Sequence, residues 1–178
     1  MATGAGPSGP SRPATDAESR GSKRPKLETN EAWVIIELFA GLMSLSLAFA
    51  SLNIPVIACF FSETCPDALA CIHHHFPEAA DLGDICKISL RQISDLVQKY
   101  PGAKFCLGGG PPCQDVSELN AKAAGANGSR SVLREDFERV YNYLKDALEK
   151  DKSGSSDSRL LGILECTRMR PEDRPAYD

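Results

Sequence analysis

The chain has 178 residues, 42% hydrophobic and 25% charged, with a formal net charge of −4; this is the composition of an ordinary globular protein, long enough for one domain core. From Trp33 onward it carries 15 basic and 20 acidic residues, which weighs against a surface that grips nucleic acid by itself. The seven cysteines include no C-x-x-C pair, which argues against a disulfide framework or a structural zinc site and for reduced thiols, most of them core filler.

Residues 1–32 are rich in Gly, Pro, Ser and charge, with hardly any large apolar side chain. They cannot bury enough surface to offset the entropy of ordering, so a disordered tail is expected. Within it Lys23, Arg24 and Lys26 make a short basic cluster of the nuclear-localisation type, although a solvated charge run reads the same way. No apolar run has the length of a signal peptide core or a membrane span, and an intracellular protein is expected.

The run "AWVIIELFAG" suits a strand from Trp33 to Phe39 buried on both faces of a parallel sheet, and "LSLAFASLN" a helix packing through Leu45 and Phe49. "VIACFF" reads as a second strand and "CPDALACIHHHF" as a helix with Pro66 in its first turn. His73, His74 and His75 raise the question of a metal, but consecutive histidines point around different sides of a helix and no matching ligand spacing follows. No metal is expected there.

"ISLRQISDLVQKY" puts Leu90, Ile93, Leu96 and Val97 on one helical face, and "AKFCLGGG" makes a strand that stops at glycines. In "VLREDFERVYNYLKDALEK" the residues Leu133, Phe137, Val140, Tyr141, Leu144 and Leu148 recur at helical spacing, with Ser131 as N-cap. "SRLLGILEC" supplies a last strand. This alternation predicts a doubly wound, Rossmann-like α/β sheet with helices on both faces, whose ligands sit at the carboxyl ends of the strands.

Several chemically capable residues fall at those ends. Phe39, Ala40 and Gly41 follow the first strand, Glu63 the second, Asp84 lies in "LGDI", Cys113 follows the fourth and Glu165 ends the last. A carboxylate past the second strand, such as Glu63, is placed to accept from ribose hydroxyls. In "LGGGPPCQDVS" the glycines Gly108, Gly109 and Gly110 are expected to turn the backbone sharply and bring it close to something else, while Pro111 and Pro112 stiffen the approach to Cys113. Singly these residues also read as caps, turns or buried thiols; their shared edge is what points to a site.

In order and spacing, "ELFAGL", "FFSETCPDAL", "LGDI" and above all "GGPPCQDVS" resemble the motifs of the DNA cytosine-5 methyltransferase family. "NGSRSVLREDFERVYNYL" resembles the segment that follows, most closely in the animal de novo branch, and "LLGILECTRM" stands where the family has Glu-Asn-Val. The resemblance covers residues 33–178, and implies an S-adenosylmethionine-dependent enzyme that methylates C5 of a cytosine flipped out of DNA.

Cys113 would then be the nucleophile that adds to C6, and Glu165 the group that hydrogen-bonds N3. Phe39 would stack on adenine, Gly41 admit the cofactor, Glu63 hold the ribose hydroxyls and Asp84 reach the adenine amine, with Ala40, Leu42, Thr64 and Ile85 beside them. Pro112, Gln114 and Ser117 would shape the nucleophile loop.

The family's cofactor loop carries further glycines where this chain has Leu42, Met43 and Ser44, so these side chains are expected to crowd the methionine end of the cofactor. No segment resembles the family's later arginine-bearing motif, its target recognition domain or its closing motif, and residues 33–178 are expected to be the front half of a catalytic domain. Relatives with the same Pro-Cys loop methylate a transfer RNA cytosine. A catalytically silent homologue bound to a full-length methyltransferase subunit is the rival from another class, and a dinucleotide oxidoreductase fails on the missing G-x-G-x-x-G. The implied function and the basic cluster together predict a nuclear protein.

Overall fold

The computed structural model describes residues 32–112, 117, 133–151 and 156–166. The first 31 residues with their basic cluster, the expected cap Ser131, and Cys113 and Gln114 lie outside them. Ala32, at the tail boundary, is buried, and its carbonyl accepts from Lys104 N at 3.0 Å.

Strand β1, Trp33–Leu38, runs between β2, Val56–Ser62, and β4, Lys104–Gly109, parallel to both. Ile36 stands opposite Phe60 on one side and Leu107 on the other. Two shorter strands complete the sheet, β3 at Ala80–Asp81 beside β2 and β5 at Leu160–Leu164 beside β4, giving the order β3-β2-β1-β4-β5. Every pairing is parallel, so all five carboxyl ends lie at one edge. The chain winds outward from β1 to β3 and then returns to the other side of β1, which makes the β1–β4 boundary the topological switch point.

Both faces of β1 are covered, as its apolar run requires. Val34, Ile36 and Leu38 pack with residues of α3, Leu90–Lys99, and α4, Leu133–Lys150, whereas Ile35 packs with Phe49 of α1, Ser44–Ser51. Helix α2, Pro66–His75, inserts Ile72 against Phe61 and Met43. Burying each such side chain is worth roughly 1.5–3 kcal/mol. Pro66 occupies the first turn of α2, and α3 starts with a capping box in which Ser89 and Gln92 satisfy each other's backbone amides.

The expected apolar face of α3 is buried at Ile93, Leu96 and Val97, but Leu90 is exposed; it stands at the first helical position, one turn before the packed stripe begins. Around "LGDI" the chain forms the two-residue β3 and then a 3-10 turn, Ile85–Lys87. The expected last strand is shorter at its start, because Ser158 and Arg159 belong to a short helix α5, Ser156–Arg159. The buried Arg159 side chain donates to the Ala103 carbonyl at 2.9 Å and pairs with Asp151 at 2.7 Å. Cysteines behave less uniformly than core filler: Cys106 is buried, but Cys65, Cys71 and Cys86 are exposed on turns and on the outer side of α2.

Candidate active site

The loop from β1 to α1 is wound tightly. Phe39, Gly41 and Met43 have φ of 54°, 52° and 57°, the left-handed region, where each of the two side-chain-bearing residues costs about 1–2 kcal/mol. The surroundings enforce this shape. Ala40 N donates to Ser62 O at 3.1 Å, Met43 N to Ala40 O at 2.7 Å, and Gly41 N to Glu63 Oε2 at 2.9 Å. The Met43 side chain is fully buried against Phe61 and Ile72. Of the three residues expected to crowd the loop, Met43 therefore points into the core, while Leu42 and Ser44 line the cleft that the loop borders.

That cleft, about 560 Å³, opens at the switch point between the ends of β1 and β4. Phe39, Ala40, Gly41 and Leu42 form one wall, Gly108–Gly110 the floor, and Ile163 and Glu165 the other wall. At its back stands Glu37, a carboxylate buried in the otherwise apolar β1. Its Oε1 accepts from Ser46 N at 2.8 Å and Ser46 Oγ at 2.6 Å, and its Oε2 from Leu45 N at 3.0 Å. Glu37 thus satisfies the first free amides of α1 and balances the positive end of the helix. Sequence reasoning passed over Glu37, though one charge inside "WVIIEL" was the available signal.

The three glycines of β4 and its exit do not turn: the glycines with positive φ among the described residues are Gly41, Gly83 and Gly102. They serve close approach instead. A Cβ at Gly108 would stand 2.5 Å from Leu45 Cδ2, one at Gly109 would meet the backbone of Leu38, and one at Gly110 would stand 2.6 Å from Glu165 Oε2. Glu165 N extends the β4–β5 ladder by donating to Gly109 O at 3.0 Å, which holds this exposed carboxylate over the floor.

Glu63 is adjacent to the cleft through Gly41. Its Oε1 accepts from Thr64 N at 2.7 Å and Cys65 N at 2.8 Å. Burial pushes its carboxyl up, but the three backbone amides outweigh it and hold the value below the ordinary 4.5. Asp84 and Ile85 lie further along the same edge, past β3, and do not line the cleft. The Asp84 carboxyl is lowered, first by the hydrogen bond from Cys86 N, and the Ile85 side chain is in the core. Pro112 and Ser117 are half-buried, Ser117 in a single-residue bridge.

His73, His74 and His75 are exposed at the end of α2, and the described residues hold no group of three His, Cys, Asp or Glu able to bind a metal ion. Among the same residues no helix is long and apolar enough to cross a membrane.

A five-stranded parallel sheet covered on both faces, with a ligand-sized cleft at its switch point, defines a Rossmann-like α/β domain of the kind that serves methyltransferases. Residues 33–145 match the family model described as C-5 cytosine-specific DNA methylase. The chain belongs to this family, whose members generally use S-adenosylmethionine. Among solved structures, it is similar to a short chain dehydrogenase from Burkholderia cenocepacia J2315 in complex with NADP, at 12% identity over 77% of this chain and 72% of that one, with a TM-score of 0.46. A search among curated proteins found no match.

Proposed function

We propose that the protein transfers a methyl group from S-adenosylmethionine to C5 of cytosine in DNA, through a transient bond between the Cys113 sulfur and C6 of the base. The observation that carries this reading is the switch-point cleft, which gathers the Phe39–Gly41 loop and the Glu165 carboxylate around the glycine floor that leads to Cys113.

The cleft fits this cofactor better than a dinucleotide. A pyrophosphate binds to free amides at a helix N-terminus, but here the amides of Leu45 and Ser46 are taken by Glu37, and a phosphate would meet a buried carboxylate. A cationic sulfonium with a free amino group suits that wall. Phe39 offers a ring for adenine, Glu63 keeps acceptor capacity for ribose hydroxyls, and Asp84 would take the adenine amine, with Ala40, Leu42, Thr64 and Ile85 flanking.

When bound, the cofactor would supply an electrophilic methyl group, its sulfonium–methyl bond breaking to leave S-adenosylhomocysteine. Cys113, as thiolate, adds to C6 and so raises the electron density at C5 enough to take that methyl. Glu165 shares a proton with N3 and stabilises the charge that develops there. The C5 proton then passes to solvent water as the C6–sulfur bond breaks, which restores the ring and the thiolate. Pro112, Gln114 and Ser117 would hold the nucleophile loop, and the base must leave the duplex to reach it.

The segment 127–144 supports a place near the animal de novo branch, and the Lys23–Lys26 cluster supports work in the nucleus. Residues 33–178 would form the front half of a catalytic domain behind a tail of 1–32. The test is incubation of the full chain with cofactor and duplex DNA containing 5-fluorocytosine, in which fluorine blocks the final elimination. A denaturation-resistant complex with the wild type and none with Cys113→Ser is expected. No complex with the wild type would sink the mechanism. Transfer to transfer RNA alone would move the substrate, and cofactor binding without transfer, together with tight association with a second methyltransferase, would favour the silent homologue.

A further inference from the structure

The turn that carries Asp84 hangs from the two-residue strand β3 at the sheet edge. Up to Gly83 the chain is tied to β2, since Leu82 N donates to Phe61 O at 2.7 Å and Ser62 Oγ to Gly83 O at 2.6 Å. Beyond Gly83, the polar ties to another element among the described residues come from α4. Arg139 donates from Nη2 to Ile85 O at 2.8 Å and from Nη1 to Ile88 O at 2.6 Å, one bond on each end of the 3-10 turn. Asp136 aims this guanidinium by accepting from its Nη2 at 2.7 Å and its Nε at 3.2 Å, and its other oxygen accepts from the Cys86 thiol at 3.4 Å.

We infer that Arg139 is a positioning residue for the cofactor, acting through Asp84; the inference rests on the cofactor role given to Asp84 above. Asp84 Oδ1 accepts from Cys86 N inside the turn, whereas Oδ2 stands 3.7 Å from the exposed Lys87 ammonium, a weak pairing that leaves it open to a ligand. The position of that oxygen depends on where the turn sits, and the planar fork of Arg139 fixes both of its ends at once. A lysine has the charge but not the fork.

Calorimetric binding of S-adenosylhomocysteine to the full chain tests this, with Arg139→Ala, Arg139→Lys, Asp84→Ala and the double variant Asp84→Ala/Arg139→Ala. Arg139→Ala is expected to weaken binding about tenfold, and less than about twofold once Asp84 is gone, a coupling typical of residues in one network. In turnover the same variant should raise KM for S-adenosylmethionine with kcat little changed. Arg139→Lys is read in the same way if the alanine variant does not fold. Binding within twofold of wild type in a folded Arg139 variant overturns the inference, as does an equal loss with and without Asp84. A wild-type chain that binds no S-adenosylhomocysteine overturns the cofactor reading and this inference together; loss on Asp84→Ala alone overturns only the inference.

Discussion

Gly110 makes room for Glu165: a Cβ on the glycine would stand 2.6 Å from the carboxylate oxygen Oε2. Gly109 instead abuts the backbone of Leu38, and Gly108 the tip of the Leu45 side chain. A flexible exposed carboxylate can swing away at little cost, whereas backbone cannot. Alanine at Gly109 should therefore cost about 1–3 kcal/mol of stability as overpacking, alanine at Gly108 less, and alanine at Gly110 within about 0.5 kcal/mol. Methyl transfer should rank differently, with Gly110→Ala losing on the order of 10²-fold in kcat as the N3 partner is displaced. Urea melts and single-turnover rates on the three variants check the two rankings, and an unchanged rate in Gly110→Ala would remove Glu165 from the chemistry.

Glu37 predicts a switch in ligand preference. Glu37→Ala leaves two amides and a hydroxyl near the start of α1 without their acceptor, and the stability loss should reach about 2–4 kcal/mol. The vacated helix end becomes an anion site. Millimolar phosphate should then raise the melting temperature of the variant more than that of the wild type, and ATP should gain affinity. A variant as indifferent to phosphate as the wild type would show that Glu37 does not govern what the cleft accepts.

The alternation of strands and helices was readable because α3 and α4 each bury one face at helical spacing, as at Ile93, Leu96 and Val97, while β1, buried on both faces, shows as a near-continuous apolar run. β3 and α5 were not, since two and four residues are too few to show a period. The glycines of "LGGG" mislead for another reason: positive φ and close approach both demand glycine, and only the neighbours Leu38, Leu45 and Glu165 tell them apart. Met43 looked like an obstacle in the loop, yet its φ of 57° turns the side chain into the core. The residues placed at the sheet edge divide in a similar way, Phe39, Gly41 and Glu165 meeting at the cleft and Asp84 standing past β3, because the short edge strand carries the chain away from the switch point.

Acid should loosen the β1–α1 loop through Glu63. Its folded carboxyl lies below the ordinary 4.5 because three backbone amides donate to the charged form, so below that pH the unfolded chain binds the proton more readily. The stabilisation is present above the unfolded value and is lost as pH falls through the folded one. Asp84, also lowered, acts in the same direction, so slopes rather than absolute stabilities must be compared. Glu63→Gln should be less stable near pH 7 but lose less between about pH 5 and pH 3. Parallel slopes for the two proteins in urea melts across this range would contradict the role of those amides.

Thiol reactivity should sort the cysteines by environment. Of the five cysteines Cys59, Cys65, Cys71, Cys86 and Cys106, Cys65 and Cys71 are exposed, and in the native protein these two should be alkylated ahead of the other three. Cys86 is exposed as well, but burial of its sulfur and the hydrogen bond to Asp136 raise its value, so it should lag. Burial, reinforced by Glu37, pushes the Cys106 thiol up to about 12; relative to an ordinary thiol near 8.5 this cuts the thiolate fraction by about 10³-fold at neutral pH. Cys59 is raised too, first by burial, against a lowering hydrogen bond from Ser46. Iodoacetamide labelling read by mass spectrometry should give Cys65 and Cys71 ahead of Cys86, then Cys59, with Cys106 labelled only after unfolding. Fast native labelling of Cys106 would mean that the sheet beneath the cleft opens far more readily than its packing against β1 allows.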